Sequence, residues 1–312
     1  MAKLSKPREG SLQFWPRGRA EKFLPRVNWD VVKFDAKTEG ILGFIAYKAG
    51  MATAQVKDST DKSLTAGKKM FVPVTVLEAP NMKLYSVRFY NKGQVVKDII
   101  VSTDKELKRV VKLPSAVPTF EPPKVFDDIR IIVYSLSKQT GIKKTPDIAE
   151  IGVNAPNKLE FVKSLIGKEI SVKDFKYNLV DVRGLTTGKG FSSAVKRYGI
   201  SLKQHKSEKG VRRPGSLGPW HPARVTFRTP MAGQLGMFTR VHYNQKILIS
   251  ASISEKDING TGFAHYGKIT SSYFIVHGSV QGPEKRQVLL TPSLRPTKKQ
   301  VKKKFEFQEL IK

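Results

Sequence analysis

One long stretch of the chain is almost free of acidic side chains. Residues 183–254 hold 13 lysines and arginines and one acidic residue, Glu208. A folded surface keeps charges of both signs, because like charges repel one another. This stretch therefore needs an external anion to neutralise it. The expected partner is a polyanion, with nucleic acid ahead of an anionic membrane surface.

The remaining charge is also distributed unevenly. Residues 1–29 have a net charge of +5 and residues 283–312 a net charge of +6, whereas residues 161–182 and 255–282 are nearly balanced. The whole chain of 312 residues has a net charge of +30, and 39% of its residues are hydrophobic. That hydrophobic share is enough for a core, and the length fits about two domains. The excess charge is therefore carried by a protein that folds.

The composition restricts the compartment and the chemistry. The chain has no cysteine, which excludes disulfides, thiolate nucleophiles and zinc sites built on cysteine. The longest apolar run, at 41–47, has about seven residues, far short of the ~20 that span a bilayer. Residues 1–10 are charged and show no apolar segment of a secretory signal. The cytosol, or another reducing space that contains nucleic acid, is the expected location.

No catalytic motif is complete. Gly184 and Gly188 are separated by three residues instead of the four of a phosphate-binding loop, and a glycine follows Lys189 where serine or threonine is needed. The five histidines lack metal-ligand spacing, and the adjacent Asp127 and Asp128 are interpreted as a solvated turn. An RNA-modifying enzyme would need a methyl-donor or metal site, and none is found. We therefore assign no catalytic residue, no metal and no cofactor, and expect a protein that is not an enzyme.

Strand-like periodicity occurs in two blocks, one before and one after the basic stretch. The predicted strands lie at 41–56 (two short strands around Lys48-Ala49-Gly50), 71–78, 83–90, 94–101, 129–136, 179–182, 246–253, 268–280 and 287–290. Asn91-Lys92-Gly93 is predicted to form a hairpin turn. Helices are predicted at 103–112 and at 157–166, the second with Asn157 as N-cap, Glu160 as its reciprocal partner and Gly167 at its end.

These elements predict a mainly β protein, in which a β-barrel built from both blocks has an α+β insertion and long basic irregular extensions. The predicted regions are a basic N-terminal arm (1–35), a first barrel segment (36–80), the α+β insertion (81–174), a second barrel segment (175–200), a basic finger loop (201–245), a third barrel segment (246–292) and a basic C-terminal tail (293–312). A loop of about 45 residues is uncommon inside a compact domain unless it is functional or disordered. The finger loop is therefore the main candidate for the functional site.

The finger loop has the composition of an RNA-binding segment. Three glycines and three prolines lie in 210–222 and prevent long regular structure there. Trp220, at the tip of this loop, is predicted to be an aromatic wedge or stacking surface; the alternative is that it folds back onto the barrel. A glycine-rich turn at 188–191 leads into a short helix at 192–198, whose first amides either meet a phosphate or form a plain junction. Such irregular basic segments favour folded RNA over a DNA duplex.

Six motifs occur in order along the chain. They are PREGSLQFWPRGRA at 7–20, AYKAGM at 46–51, RGLTTGKGF at 183–191, GPWHPARV at 218–225, AGQLG at 232–236 and HGSVQGP at 277–283. In this order they resemble the universal ribosomal protein L-three family of the large subunit, in its archaeal and eukaryotic form. The region 85–170 carries no such motif.

The resemblance implies a translation-protein-type β-barrel with an inserted α+β domain. It implies a structural constituent of the large subunit in the cytoplasmic ribosome that binds large-subunit ribosomal RNA near its 3′ end and nucleates assembly. The finger would reach toward the peptidyl-transferase region, and the implied neighbours are ribosomal proteins L-fourteen and L-twenty-four-e. Gln234 matches a glutamine that bacterial relatives modify, whereas His205 is spaced differently from the histidine that some eukaryotic relatives modify. No membrane and no small-molecule substrate are expected.

Residue types and resemblance together yield a set of expected RNA contacts, because lysine and arginine meet phosphates and arginine also stacks on bases. They are Arg8, Arg17, Arg19, Arg183, Lys189, Lys196, Arg197, Lys203, Lys206, Lys209, Arg212, Arg213, Trp220, His221, Arg224, Arg228, Gln234, Arg240, Lys285 and Arg286. The same charge pattern would serve a non-ribosomal RNA chaperone or a ribosome-assembly factor, which is the alternative function.

Overall fold

The computed structural model describes residues 15–32, 39–206 and 209–311. The strands in these residues are β1 (Gly40–Ile41), β2 (Phe44–Asp58), β3 (Lys69–Ala79), β4 (Met82–Asn91), β5 (Gln94–Ile100), β6 (Asp128–Ser135), β7 (Ile148–Asn154), β8 (Glu169–Ile170), β9 (Leu179–Leu185), β10 (Phe191–Ser192), β11 (Gly233–Gln234), β12 (Thr239–Ser252), β13 (Ser272–His277), β14 (Gln287–Pro292) and β15 (Phe305–Ile311). The α-helices are α1 (Lys158–Leu165), α2 (Ala194–Tyr198) and α3 (Lys298–Lys302), and 3₁₀ turns occupy Lys105–Arg109, Ser137–Thr140 and Val172–Asp174. The prediction of a mainly β protein is confirmed.

The chain divides into two compact units. We call residues 1–22 and 185–239 the finger unit, and residues 23–184 and 240–312 the sheet unit. Within the described ranges, no helix is long and apolar enough to cross a membrane.

A curled sheet forms the centre of the sheet unit. Its order in the described residues is β14-β9-β12-β13-β3-β2-β15, and β14 also pairs with β2. Six strands therefore form a closed ring of pairings, and β15 lies outside that ring. Phe44 and Phe274 belong to its core; both are fully buried, and their rings meet edge-on at 5.5 Å.

The prediction of two short strands around Lys48-Ala49-Gly50 is wrong. β2 continues through these residues, and its register with β3 shifts between Lys48 and Gly50. A β-bulge accommodates an extra residue without ending a strand, and the fully buried Ala49 shows that no turn reaches the surface here. Gly50 gives the ring of Phe263 space, because a Cβ at this position would lie 3.2 Å from that ring, closer than an ordinary contact.

A second sheet in the same unit carries the other predicted elements. Its order in the described residues is β1-β7-β6-β4-β5, with β8 paired to β4. The predicted hairpin turn is confirmed: Lys92 and Gly93 both have positive φ, and Asn91 pairs with Gln94. The N-cap of α1 is also confirmed, since Asn157 Oδ1 accepts a hydrogen bond from the Glu160 amide at 3.4 Å.

Two boundaries differ from the prediction. The helix predicted at 103–112 is only the 3₁₀ turn Lys105–Arg109, because the β-branched Val110 and Val111 follow and their amides both return to the Leu107 carbonyl. β12 begins inside the predicted finger loop. Whether residues 81–174 form a separate inserted domain stays a prediction, since these residues fall within the sheet unit.

The C-terminal tail is not irregular throughout. Residues 298–302 form α3, and β15 pairs with β2, from Phe305 opposite Asp58 to Ile311 opposite Thr53. The alternation of Phe305 and Phe307 with charged residues explains this strand, because the two rings pack on the core of the curled sheet. The basic residues at 295–304 precede this alternation, and a tail that is basic throughout would be irregular.

Candidate nucleic-acid interface

The finger unit is strongly basic. Among its described residues, 13 lysines and arginines face one acidic residue, Glu21. Nine of the expected RNA contacts here are exposed: Arg19, Lys189, Lys196, Lys206, Lys209, Arg212, Arg213, Arg224 and Arg228. His221 is exposed as well, and Lys203 is half-buried. Arg8, with the rest of residues 1–14, lies outside the described residues.

The two ends of the finger are joined by a short ladder of backbone hydrogen bonds. β10 pairs with β11, and the Leu235 amide donates to the Gly190 carbonyl at 2.9 Å. Gly236 completes this junction with φ +79°, and a Cβ on it would lie 2.0 Å from the Thr187 oxygen. Only glycine fits such a close approach of two backbones. The junction therefore fixes where the finger begins and ends.

Arg197 uses its guanidinium group inside the protein. Nε donates to the Gln234 carbonyl at 2.9 Å, Nη1 to the Met231 carbonyl at 3.1 Å and Nη2 to the Arg17 carbonyl at 3.3 Å. Gly233 makes room for this fork, because a Cβ there would lie 2.8 Å from Arg197 Nη1. The planar fork of arginine suits several acceptors at once. Arg197 thus holds the arm and both ends of the finger in one arrangement.

Arg17 returns the contact. Its Nη1 donates to the Arg197 carbonyl at 2.5 Å, and its guanidinium carbon lies 4.2 Å from the centre of the Tyr198 ring. Trp15 stacks on Tyr198 at 6.0 Å between ring centres. An RNA contact by Arg17 or Arg197 stays a prediction. Their internal role was missed because the partners lie 180 residues apart in sequence.

The tip of the finger presents aromatic rings to solvent. Trp220 is 87% exposed and Phe227 is 95% exposed. That Trp220 is a stacking surface, and not a ring folded back onto the barrel, stays a prediction. Two hydrogen bonds shape the tip: the Arg224 amide donates to the Pro222 carbonyl at 2.7 Å, and the Thr229 side-chain Oγ1 donates to the Leu217 carbonyl at 3.2 Å. Phe227 was not predicted to be part of the site. Its neighbours Arg224 and Arg228 could have indicated it, because an aromatic residue among basic ones is the pattern that pointed to Trp220.

Gln234 lies at the junction and not at the tip. Its side-chain amide donates to the carbonyls of Leu235 at 3.2 Å and Gly236 at 3.3 Å, and the residue is half-buried. These bonds stabilise the turn that contains Gly236. A contact of Gln234 with RNA stays a prediction.

Four expected contacts lie in the sheet unit. Arg183 is half-buried in β9, where its Nε donates to Thr291 Oγ1 at 3.2 Å. Arg240 is half-buried in β12, Lys285 is exposed, and the guanidinium carbon of Arg286 lies 5.1 Å from the ring of Phe23. These four residues lie on different strands and loops and do not form one exposed surface of a single element. Their RNA contacts stay predictions.

The buried Lys48, which was not among the predicted site residues, holds the segment that leads to Lys285 and Arg286. Lys48 Nζ donates to the Val280 carbonyl at 2.7 Å and to the Gly282 carbonyl at 2.9 Å. Burial lowers the pKa of the Lys48 ammonium group. The motifs at 46–51 and 277–283 therefore meet in space, and the first fixes the second.

The arrangement suits binding of single-stranded or folded RNA. Exposed cations on a glycine- and proline-rich loop neutralise phosphates, and exposed rings offer stacking surfaces for bases. Within the stretches of chain that the structure describes, no group of three or more histidine and acidic side chains is placed to hold a metal ion.

Comparison with known proteins gives one consistent result. The family model described as "Ribosomal protein L3" matches residues 1–113 and 115–310. The chain is 37% identical over 320 residues to the large ribosomal subunit protein uL3 of Methanocaldococcus jannaschii, which covers 96% of this chain and 94% of the relative. The uL3 proteins of Archaeoglobus fulgidus (37% over 315 residues) and Pyrobaculum calidifontis (37% over 321 residues) each cover 95% of this chain and 94% of their own length.

These matches include the region 85–170, for which the motifs offered no support. They confirm the resemblance drawn from the six motifs, and with it the expectation that the protein is not an enzyme. The chain belongs to the ribosomal protein L3 family, whose members are structural components of the ribosome.

Proposed function

We propose that this protein binds large-subunit ribosomal RNA near the RNA's 3′ end and nucleates assembly of the large subunit. As a member of its family it is a constituent of the large subunit in the cytoplasmic ribosome. The observation that carries the proposal is the charge of the finger unit, in whose described residues one acidic side chain stands against 13 basic ones and most of these are exposed. Such a surface requires a polyanion, and in a ribosome that polyanion is RNA.

The finger is proposed to reach toward the peptidyl-transferase region, with Trp220 near its tip. Two features support this role: the exposed rings of Trp220 and Phe227, and a base held by Arg197 and Gly236. A rigid base directs a loop, and exposed rings at its end are available to a partner outside the protein. Proteins L-fourteen and L-twenty-four-e are proposed as neighbours.

The finer fold assignment belongs to the same proposal. The closed ring of six strands supports a translation-protein-type barrel. Residues 81–174 hold α1 and five of the six strands of the second sheet, which supports an inserted α+β domain there.

Sedimentation and crosslinking test the function. Cell extract is fractionated on a sucrose gradient at high salt, and the protein is expected to remain with the large subunit. In the same fractions, ultraviolet crosslinks should concentrate in the finger residues 201–230 and on RNA near the 3′ end. Release from the subunit at high salt, with crosslinks to varied RNAs, would instead indicate the RNA chaperone or assembly factor.

A further inference from the structure

The sheet unit contains a basic cluster that the expected RNA contacts did not include. Ile247 of β12 pairs with Val276 of β13, and Lys246 and His277 occupy the next positions outward from that pair. The ring of His277 lies 6.0 Å from the ring of Phe305, and Lys303 Nζ lies 5.8 Å from the same ring. Lys246, His277 and Lys303 are all half-buried. We call these three residues the basic cluster.

The basic cluster lacks a counter-ion in the described protein. Among residues 15–32, 39–206 and 209–311, no carboxylate forms an ion pair with Lys246, His277 or Lys303. The neighbouring Lys304 pairs with Asp61 at 3.3 Å, but both of these side chains are largely exposed. Exposed pairs of this kind contribute little and are screened by salt. The half-buried positive charges are therefore left unbalanced.

Burial and the neighbouring charges both act on the pKa values of this cluster. Burial, followed by the charges of Lys303 and Lys246, lowers the pKa of His277. Burial, followed by the charges of Lys303 and Lys304, lowers the pKa of Lys246. Like charges held together in half-buried positions oppose folding. An anion bound among them would offset the repulsion between these charges.

We propose that Lys246, His277 and Lys303 form a phosphate-binding site on the sheet unit that takes a phosphodiester of the RNA backbone. The site is distinct in sequence and in unit from the finger, and it rests on the proposed function only in that the anion belongs to RNA. Lysine ammonium groups and the N–H of an imidazole donate hydrogen bonds to phosphate oxygens but do not read bases, so the site positions the RNA and adds no sequence preference.

The surrounding charge favours RNA over an isolated anion. The segment 295–304 holds six basic residues and no acidic one, and it leads directly into β15 beside the cluster. A continuous positive segment of this kind follows a phosphate backbone, with the half-buried cluster as its most desolvated point.

Salt-dependent binding tests the site. The probe is a transcript of the 3′ portion of large-subunit ribosomal RNA, and its dissociation constant is measured between about 50 and 300 mM salt. The full-length variant Lys246→Gln/Lys303→Gln should have a slope of log K against log salt that is shallower by roughly 0.7–0.9 per lost phosphate contact. The control Lys105→Gln/Lys108→Gln removes the same charge from an exposed 3₁₀ turn and should keep the wild-type slope.

A charge-retaining variant and a stability measurement complete the test. Lys246→Arg/Lys303→Arg should keep the wild-type slope, and the glutamine variant should keep or raise the melting temperature because it removes repulsion. The proposal is overturned if the glutamine variant binds with the wild-type slope, or if it fails to fold. Failure of the wild-type protein itself to bind the transcript would refute the proposed function instead.

Discussion

Replacing Trp220 by alanine separates a binding role from a structural role at the tip of the finger. Trp220 is 87% exposed, so about an eighth of its surface is buried. A buried aromatic side chain contributes about 150–250 Å² of area, and burial stabilises by roughly 25 cal/mol per Å². The area lost at Trp220 is then about 20–30 Å². Trp220→Ala should therefore lower the free energy of unfolding by less than ~1 kcal/mol.

Trp29 is the matched control within the same chain. It is 5% exposed, its Nε1 donates to the Glu150 carbonyl at 3.2 Å, and a Cβ on Gly43 or Gly152 would lie within 3.2 Å of its ring. Truncation of a core tryptophan costs about 3–5 kcal/mol. Trp29→Ala should therefore lower the melting temperature clearly, under conditions in which Trp220→Ala leaves it almost unchanged.

The affinity for RNA gives the second half of the assay. A base stacked on an aromatic ring contributes ~1–3 kcal/mol, which corresponds to roughly a 5- to 150-fold change in affinity. Filter binding of the 3′ ribosomal RNA transcript, with melting curves of the same samples, measures both quantities. A large drop in melting temperature with unchanged affinity for Trp220→Ala would refute the argument from exposure.

Three further outcomes are expected. If six to ten phosphates are neutralised, RNA affinity should fall by roughly 10³–10⁵ between 50 and 200 mM salt, and a flat response in filter binding would argue against a nucleic acid. Gly236→Ala should increase hydrogen exchange throughout 185–239, because its Cβ overlaps the Thr187 oxygen, whereas Gly215→Ala, with nothing within 4 Å, should not; equal exchange in both variants would contradict the backbone argument. Arg197→Lys keeps the charge but loses the fork to three carbonyls, so limited proteolysis should cut residues 201–230 faster than in the wild type; an unchanged cutting rate would show that the fork does not hold the finger.

Local chemistry was sufficient to predict several elements from sequence. The turn at Lys92 and Gly93 needs residues that tolerate positive φ, and the cap at Asn157 needs one side-chain acceptor at one position. Charge is also a property of composition, so the basic character of the finger unit and its need for a polyanion follow without coordinates. These features depend on neighbours a few residues apart.

Features that depend on distant partners required the structure. From sequence alone, Arg17 and Arg197 could equally bind phosphates or groups of the protein itself. Only the fold shows that Arg197 donates to three carbonyls, one of which belongs to Arg17. Lys48 likewise lies in the motif at 46–51, and nothing in the sequence indicates that its ammonium group donates to the carbonyls of Val280 and Gly282.

The same reason explains the errors at the sheet. The segment Lys48-Ala49-Gly50 was predicted to separate two strands, yet β2 runs through it with a bulge because β14 and β3 pair with β2 on its two sides. A basic tail is typical of an irregular extension, yet Phe305 and Phe307 belong to a strand that pairs with the edge of β2. Sequence therefore determined which segments carry charge and which local turns and caps form. Tertiary structure decided which cations are used inside the protein and which remain for RNA, because hydrogen-bond acceptors and counter-ions come from distant regions of the chain.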